Sequence, residues 1–493
     1  MPPDRLTFDV GLTEWLFTLG LGAGVGLALA GVLGLASHRG SKRAAAAAIV
    51  AGLLVMLLLV AAALDRGPAT PIDLKLKAYL STAARTAALT LAAALGLGAG
   101  GLVALLALGS LDLRRRRAAV GVLAMLAILV AGIGAVGLLN RAEDSESSIH
   151  PAGTEIGAPI PATRIIEGLE IPTGLAAAAN GDLVVVELLN PAVKLFRLSA
   201  ATDAFELAAT VDLPLQPGSH TFHVALHPEW PGQPYAYVTA EHLVEDGQTM
   251  VVIRVSFAES ASPAAATLIT GLPLPDGVAG NHYGSAAAFC DGYFYVSTGD
   301  SDTVLSGTRP DLAALAQWPT RPEGKILRYQ LDGIDLLPAG VIGSDPPVYA
   351  MGFRNPFGMA CDTATGFPLI GENGPFGHDQ VRFAPPGTNH EWPLSVARGY
   401  LYPPAYDSGP TSIAPTGVAI DHSVSPPVVY LAAFFSQSIY SFTVGAEGRA
   451  ASPLRLLAFV RGGAYGLTMA PDGCVYFSDI ESIWRLENGA CAP

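Results

Sequence analysis

Residues 161–493 of the chain read as an all-β six-bladed propeller. An all-α region of four transmembrane helices precedes it over residues 1–140, joined by a polar linker over residues 141–160. Two observations predict this. Four long apolar runs dominate the first part, and one turn-then-strand theme recurs six times in the second.

The apolar runs are Trp15 to Leu35, Ala44 to Leu64, Ala87 to Leu108 and Ala118 to Leu139. Each is close to the ~20 residues that cross a bilayer's hydrocarbon core as a helix. Helices are the form that satisfies its own backbone hydrogen bonds in lipid. The runs lack a polar face, which argues against a buried soluble bundle. Arg39, Lys42 and Arg43 fill the first connection, and Arg114, Arg115, Arg116 and Arg117 the third. Those loops are therefore expected on the cytoplasmic side, which places everything after the fourth helix outside. The second connection holds Arg66, Lys75, Lys77 and Arg85, diluted by Asp65 and Asp73. Glu143, Asp144 and Glu146, set among serines, mark the linker.

In the exterior part a turn repeatedly precedes a short strand rich in Val, Tyr and Phe. Asn180-Gly181-Asp182 precedes LVVVE, Gly232-Gln233-Pro234 precedes YAYVTA, and Asp291-Gly292 precedes YFYVSTGD. Thr365-Gly366 precedes FPLIGENG, Ser425-Pro426-Pro427 precedes VVYLAAFF, and Asp472-Gly473 precedes CVYFSD. Turn residues followed by β-branched or aromatic runs mean strands. A spacing of roughly 45–75 residues suits four-stranded sheets arranged radially, one per repeat. A pair of β-sandwiches is the alternative.

Cys290, Cys361, Cys474 and Cys491 all lie in this part, an even count that suits disulfides in an oxidising compartment. Of the three possible pairings, Cys474 with Cys491 is preferred, as a staple for the chain end. No CxxC occurs, which argues against a thiol-rich metal site. The net charge is −14, and the basic residues concentrate beside the apolar runs. An acidic exterior domain excludes nucleic acid as an expected partner.

Propeller ligands gather where loops from several blades converge, so polar residues at strand ends are the candidates. His282 and Asp300 bracket one strand pair, an imidazole that can take a proton and a carboxylate that can hold its other nitrogen. Arg354-Asn355-Pro356 offers a permanent cation beside an amide. Glu372-Asn373-Gly374-Pro375, with His378 and Asp379 after it, can aim bare carbonyls at a hard cation. Gly387-Thr388-Asn389-His390-Glu391-Trp392-Pro393 is a further turn ending on Trp-Pro. His220, His223 and His227 form a local cluster that could ligate a transition metal, although a His-Pro turn accounts for His227.

In this order, HYGSAAAFCDGYFYVSTGD, EGKILRYQLDG, VYAMGFRNPFGMACDTATG, ENGPFGHDQV and GTNHEWP resemble the glucose/sorbosone dehydrogenase family, which depends on pyrroloquinoline quinone (PQQ). The resemblance covers most of residues 160–490 and none of the apolar part. It implies a propeller that binds PQQ and Ca²⁺ and oxidises a sugar or related alcohol. By the same resemblance His282 is the base and Asp300 its orienting carboxylate. Arg354, Asn355, Ser412 and Ala414 would contact the cofactor. The carbonyls of Gly374 and Pro375 would hold Ca²⁺, and Asp379 would be a further active-site carboxylate. A membrane quinone is a natural partner for the electrons.

The chain also departs from the family's pattern. Where a lysine and two arginines clamp the PQQ carboxylates, it has Ser436 or a neighbour, Gly463 and Tyr465, with Arg461 nearby. Asn281, not a carboxylate, precedes the base. Two alternatives therefore remain: a non-catalytic exterior propeller that binds a ligand or partner, and a Ca²⁺-dependent hydrolase of lactonase type.

Overall fold

The computed structural model describes residues 150–199, 204–244, 247–258, 264–272, 282–301, 314–375, 377–395 and 402–488. All fall in the second of two units of the chain, Ser147–Pro493. The four predicted membrane helices lie outside the described residues. Among the described residues no helix is long and apolar enough to cross a membrane.

Six sheets form the propeller, in place of the alternative sandwich pair. Their innermost strands are Pro172–Ala177, Thr221–Leu226, Gly284–Cys290, Pro356–Asp362, Pro415–Asp421 and Leu467–Met469. Each touches the next, and the sixth returns to the first, which closes the ring. The second strands are Leu183–Glu187, Tyr235–Val244, Tyr293–Thr298, Phe367–Glu372, Val428–Ala433 and Val475–Ser478. Every one of the six predicted turns sits between an innermost strand and its second strand, at one end of the channel. The other ends of those strands therefore share the opposite end, called the mouth below.

Closure comes from the chain's own beginning. Ala162–Glu167 pairs antiparallel with Ser482–Leu486 and completes the sixth blade. Glu155–Ile156, within the segment read as a linker, pairs parallel with Arg455–Phe459 on the rim of the fifth. Leaving neither outer edge bare removes templates for edge-to-edge pairing.

Between blades the second strands are buried on both faces. Val184, Val186, Val193, Val238 and Ile253 are fully enclosed where the first blade meets the second. Continuous apolar strands such as LVVVE follow from that two-sided burial. One disulfide, Cys290–Cys361, staples the end of the third innermost strand to the fourth across a separation of 71 residues. Cys474 is also disulfide-bonded, while Cys491, its preferred partner, lies outside the described residues.

A candidate active site at the mouth

The third blade delivers the first pair of groups. His282 precedes its innermost strand and Asp300 follows its second strand. Antiparallel pairing of the two strands brings both to the mouth. His282 Nδ1 and Asp300 Oδ1 are 2.6 Å apart, with the residues 5% and 0% exposed. The chain passes so closely here that only glycine fits at 299. Trp392 Nε1 donates to the other carboxylate oxygen of Asp300 at 2.7 Å. The dyad is thus a triad of side chains, fixed at both oxygens of the central carboxylate, and it leaves His282 Nε2 for a substrate.

The bend that carries Trp392 is itself held. Gln317 Nε2 donates to the Trp392 carbonyl at 2.6 Å, and Asn389 Nδ2 donates to Gln317 Oε1 at 2.7 Å. Lys325 Nζ, buried beneath the short 3-10 helix Ala314–Gln317, donates to the carbonyls of Leu315, Ala316 and Glu323. Burial pulls its ammonium down to about 7. Sequence reading names GTNHEWP without a role and misses Lys325. Their signal was only a polar loop and a lysine starting a strand.

The fourth blade supplies the cation. The Arg354 backbone N–H donates to Glu372 Oε1 at 2.6 Å, and Glu372 Oε2 accepts from Arg382 Nε at 2.8 Å. Arg354 Nη1 donates to the carbonyls of Asn373 and Gly374 at 3.1 and 3.0 Å. The guanidinium also lies 5.6 Å from the Trp392 ring centroid. The Asp300 N–H donates to the Arg354 carbonyl at 2.8 Å, which links the third and fourth blades beside the dyad. Asn355 Oδ1 accepts from the Gly284 N–H at 3.0 Å and so braces the strand that follows His282.

Asp379, Ser412 and Ala414 come together, but around each other. Asp379 Oδ1 accepts from the Gly374 N–H at 2.8 Å. Its Oδ2 accepts from the N–H groups of Ile413 and Ala414 at 2.6 and 2.7 Å and from Ser412 Oγ at 3.2 Å. Burial pushes this carboxyl above its ordinary range, against those four donors. Its geometry is that of a brace between the fourth and fifth blades. The three histidines do not converge. His220 pairs with Glu241, His227 Nε2 meets the Gly333 carbonyl at 3.1 Å, and His223 is buried in the channel. His223 Nε2 has no hydrogen-bond partner among the described residues. A cavity of about 860 Å³ beside it opens toward the end opposite the mouth, away from the dyad.

PQQ with Ca²⁺ needs free oxygen ligands for a dication and cations for three carboxylates. A guanidinium already donates to the Gly374 carbonyl, which places a fixed positive charge where a dication would sit. Asp379, the nearest carboxylate to that bend, is saturated by its four donors. Among the described residues no group of three or more His, Cys, Asp or Glu could hold a metal ion. At the clamp positions the Phe434 ring packs on Gly463 and lies 5.2 Å from the Tyr465 ring. Arg461 is exposed. The described residues fit the substrate end of such a site and do not fit a Ca²⁺-bound tricarboxylate.

Residues 169–449 match the profile of the Glucose / Sorbosone dehydrogenase family. The uncharacterized protein slr1608 of Synechocystis sp. is 28% identical over 251 residues, which span 48% of this chain and 59% of that protein. Aldose sugar dehydrogenase YliI of Escherichia coli is 29% identical over 128 residues, 24% of this chain and 30% of that one. The chain thus spans less than two thirds of either relative. The PQQ-bound form of aldose sugar dehydrogenase from Streptomyces coelicolor shares the fold. It has a TM-score of 0.51 and 22% identity, covering 67% of this chain and 99% of that one.

Proposed function

The chain belongs to the glucose/sorbosone dehydrogenase family, and from that premise we propose that its mouth oxidises a hydroxyl of a sugar or related alcohol. The observation that carries this reading is the His282–Asp300 contact of 2.6 Å, closed from behind by Trp392. Asp300 holds Nδ1, so Nε2 is the nitrogen that accepts the hydroxyl proton. The imidazolium that forms is stabilised by the buried carboxylate. Arg354 supplies a permanent positive charge on the same rim, available to the substrate oxygen as its proton leaves for Nε2. The hydride leaves to a two-electron acceptor seated in the mouth. Binding energy from the rest of the substrate would hold the hydroxyl against Nε2.

The four apolar runs support a membrane anchor, and the Cys290–Cys361 bond supports an exterior, oxidising compartment for the propeller. An exterior ligand-binding propeller without turnover is the second reading, favoured by the missing clamp.

The test uses the purified full-length chain in detergent, a panel of aldoses and polyols, and a dye that reports reduction. The acceptors are PQQ with Ca²⁺ in one arm and an uncharged benzoquinone in the other. Turnover that falls at least about 1,000-fold in His282→Ala supports the base. Substrate binding without turnover under either acceptor replaces this reading with the second.

A further inference from the structure

We infer that the acceptor seated in this mouth is an uncharged planar quinone rather than a tricarboxylate, an inference that rests on the oxidoreductase reading above. The rim opposite the dyad is built from the fifth and sixth blades. The N–H groups of Phe434 and Phe435 donate to the carbonyls of Ala414 and Ile413 at 2.8 and 2.9 Å, which fixes both rings beside the Asp379 brace. Their centroids are 5.5 Å apart, and Phe435 is 60% exposed. Gly463 has φ +98°, and a Cβ there would stand 2.4 Å from Phe434 Cδ2. The ring therefore occupies the space a side chain from 463 would use, and no cation can enter from that position without displacing it.

Charge points the same way. Glu187, Glu241, Asp300 and Asp379 are all buried at or behind this end of the channel, Glu187 paired with Lys194 at 2.6 Å, Glu241 with His220 and Asp300 with His282. Among the described residues two guanidinium groups are buried on this side of the fourth blade, Arg354, bound to two carbonyls, and Arg382, paired with Glu372. Each of these cations among the described residues already serves a protein group, so a trianion would have to displace such a partner to be paired. A flat uncharged ring meets an aromatic surface on which it can stack.

Other oxidants fit less well. A redox metal lacks a ligand group among the described residues, and none of their cysteines is free. With a quinone the step balances. The substrate O–H proton goes to His282 Nε2, and the C–H hydride goes to the quinone. The proton then passes to the reduced quinone oxygen, yielding a carbonyl product and a hydroquinone.

The experiment is a binding titration on the full-length chain, read by quenching of tryptophan fluorescence. The probes are 2,3-dimethoxy-5-methyl-1,4-benzoquinone and, separately, PQQ with Ca²⁺. The benzoquinone is expected to bind at least about 100-fold more tightly than PQQ. Phe434→Ala should weaken the benzoquinone by about tenfold. Phe435→Lys, at an exposed position, should strengthen PQQ by about tenfold and weaken the benzoquinone severalfold, because it removes one of the two rings. PQQ binding as tight as or tighter than the benzoquinone overturns the inference, as does binding of neither. Tight benzoquinone binding without turnover on any substrate leaves a quinone-binding site standing but removes the oxidoreductase reading and, with it, the acceptor role inferred here.

Discussion

Replacing Gly299 by alanine tests whether the dyad is held by backbone contact between the two ends of one strand pair. An alanine Cβ at 299 would stand 1.9 Å from the His282 carbonyl oxygen and 2.5 Å from its carbonyl carbon. Real Cβ atoms keep at least 3.0 Å, so the two segments must part by roughly 1 Å. Neither can slide freely. The Gly299 N–H donates to the Tyr283 carbonyl at 3.2 Å, and the Gly299 carbonyl accepts from the Gly324 N–H at 2.8 Å. The displaced atoms belong to the residue whose imidazole meets Asp300 at 2.6 Å, so the shift is spent on that hydrogen bond. Overpacking of this kind costs about 1–3 kcal/mol of stability. A misplacement of about 1 Å in the reacting geometry costs about 100-fold in turnover. Gly292 supplies the control, at the other end of the same strands. It has φ +77° and nothing within 4 Å of an added Cβ. Gly292→Ala should therefore lower stability by about 1 kcal/mol through backbone strain alone and leave turnover within twofold. Steady-state oxidation and urea unfolding of both variants check the pair. Gly299→Ala with wild-type turnover and stability refutes the claim that these loops hold the base.

Trp392→Phe removes the donor to Asp300 Oδ2 while keeping a ring in place. The loss of a charged hydrogen bond, about 1.5–3 kcal/mol, should appear as a fall in kcat of about 10–100-fold. KM should be nearly unchanged, because Trp392 acts through Asp300; a KM effect without a kcat effect would assign it to substrate binding. Replacing Cys290 and Cys361 together by alanine removes a cross-link spanning 71 residues. The chain-entropy relation gives about 4 kcal/mol of lost stability, and urea unfolding that shows no loss would contradict it. Burial pulls the His223 imidazole down to about 4 from an ordinary 6.5. The folded chain binds fewer protons than the unfolded chain between those values. Stability is therefore full above about pH 6.5 and falls by about 3 kcal/mol as pH drops toward 4. His223→Gln should flatten that part of the profile in urea titrations at stepped pH.

The six turn signals were legible because each is a local backbone necessity. Asp291 and Gly292 carry φ of +48° and +77°, and Gly366 and Gly473 carry +73° and +90°, conformations that glycine and aspartate tolerate best. Two-sided burial made the strands after them apolar or aromatic without a break. Those two local facts sufficed for blade number and for the end of the channel where His282, Asp300, Arg354 and Gly374 sit. Closure was not legible. Glu155 and Ile156 are both exposed and show no alternation, so nothing local distinguishes them from a linker. Their pairing with Arg455 and Leu456 depends on where the ring brings the fifth blade. Trp392 was hidden for the same reason, since its partner Asp300 is 92 residues away.

The rest of the site carries structural contacts that a pattern of residue types does not reveal. Arg354, Asn355, Asp379, Ser412 and Ala414 each make contacts that hold protein to protein. Asn355 braces the strand after the base, Asp379 ties two blades through Ser412 and Ala414, and Arg354 caps two carbonyls. A pattern of residue types records which groups reach the mouth, not what they bind there. The charge on the opposite rim decides that, and there aromatic rings fill the space of the cations. A dyad buried and braced from two sides, facing a rim whose described residues offer no clamp for three carboxylates, is consistent with the hydroxyl oxidation proposed above with an acceptor other than PQQ.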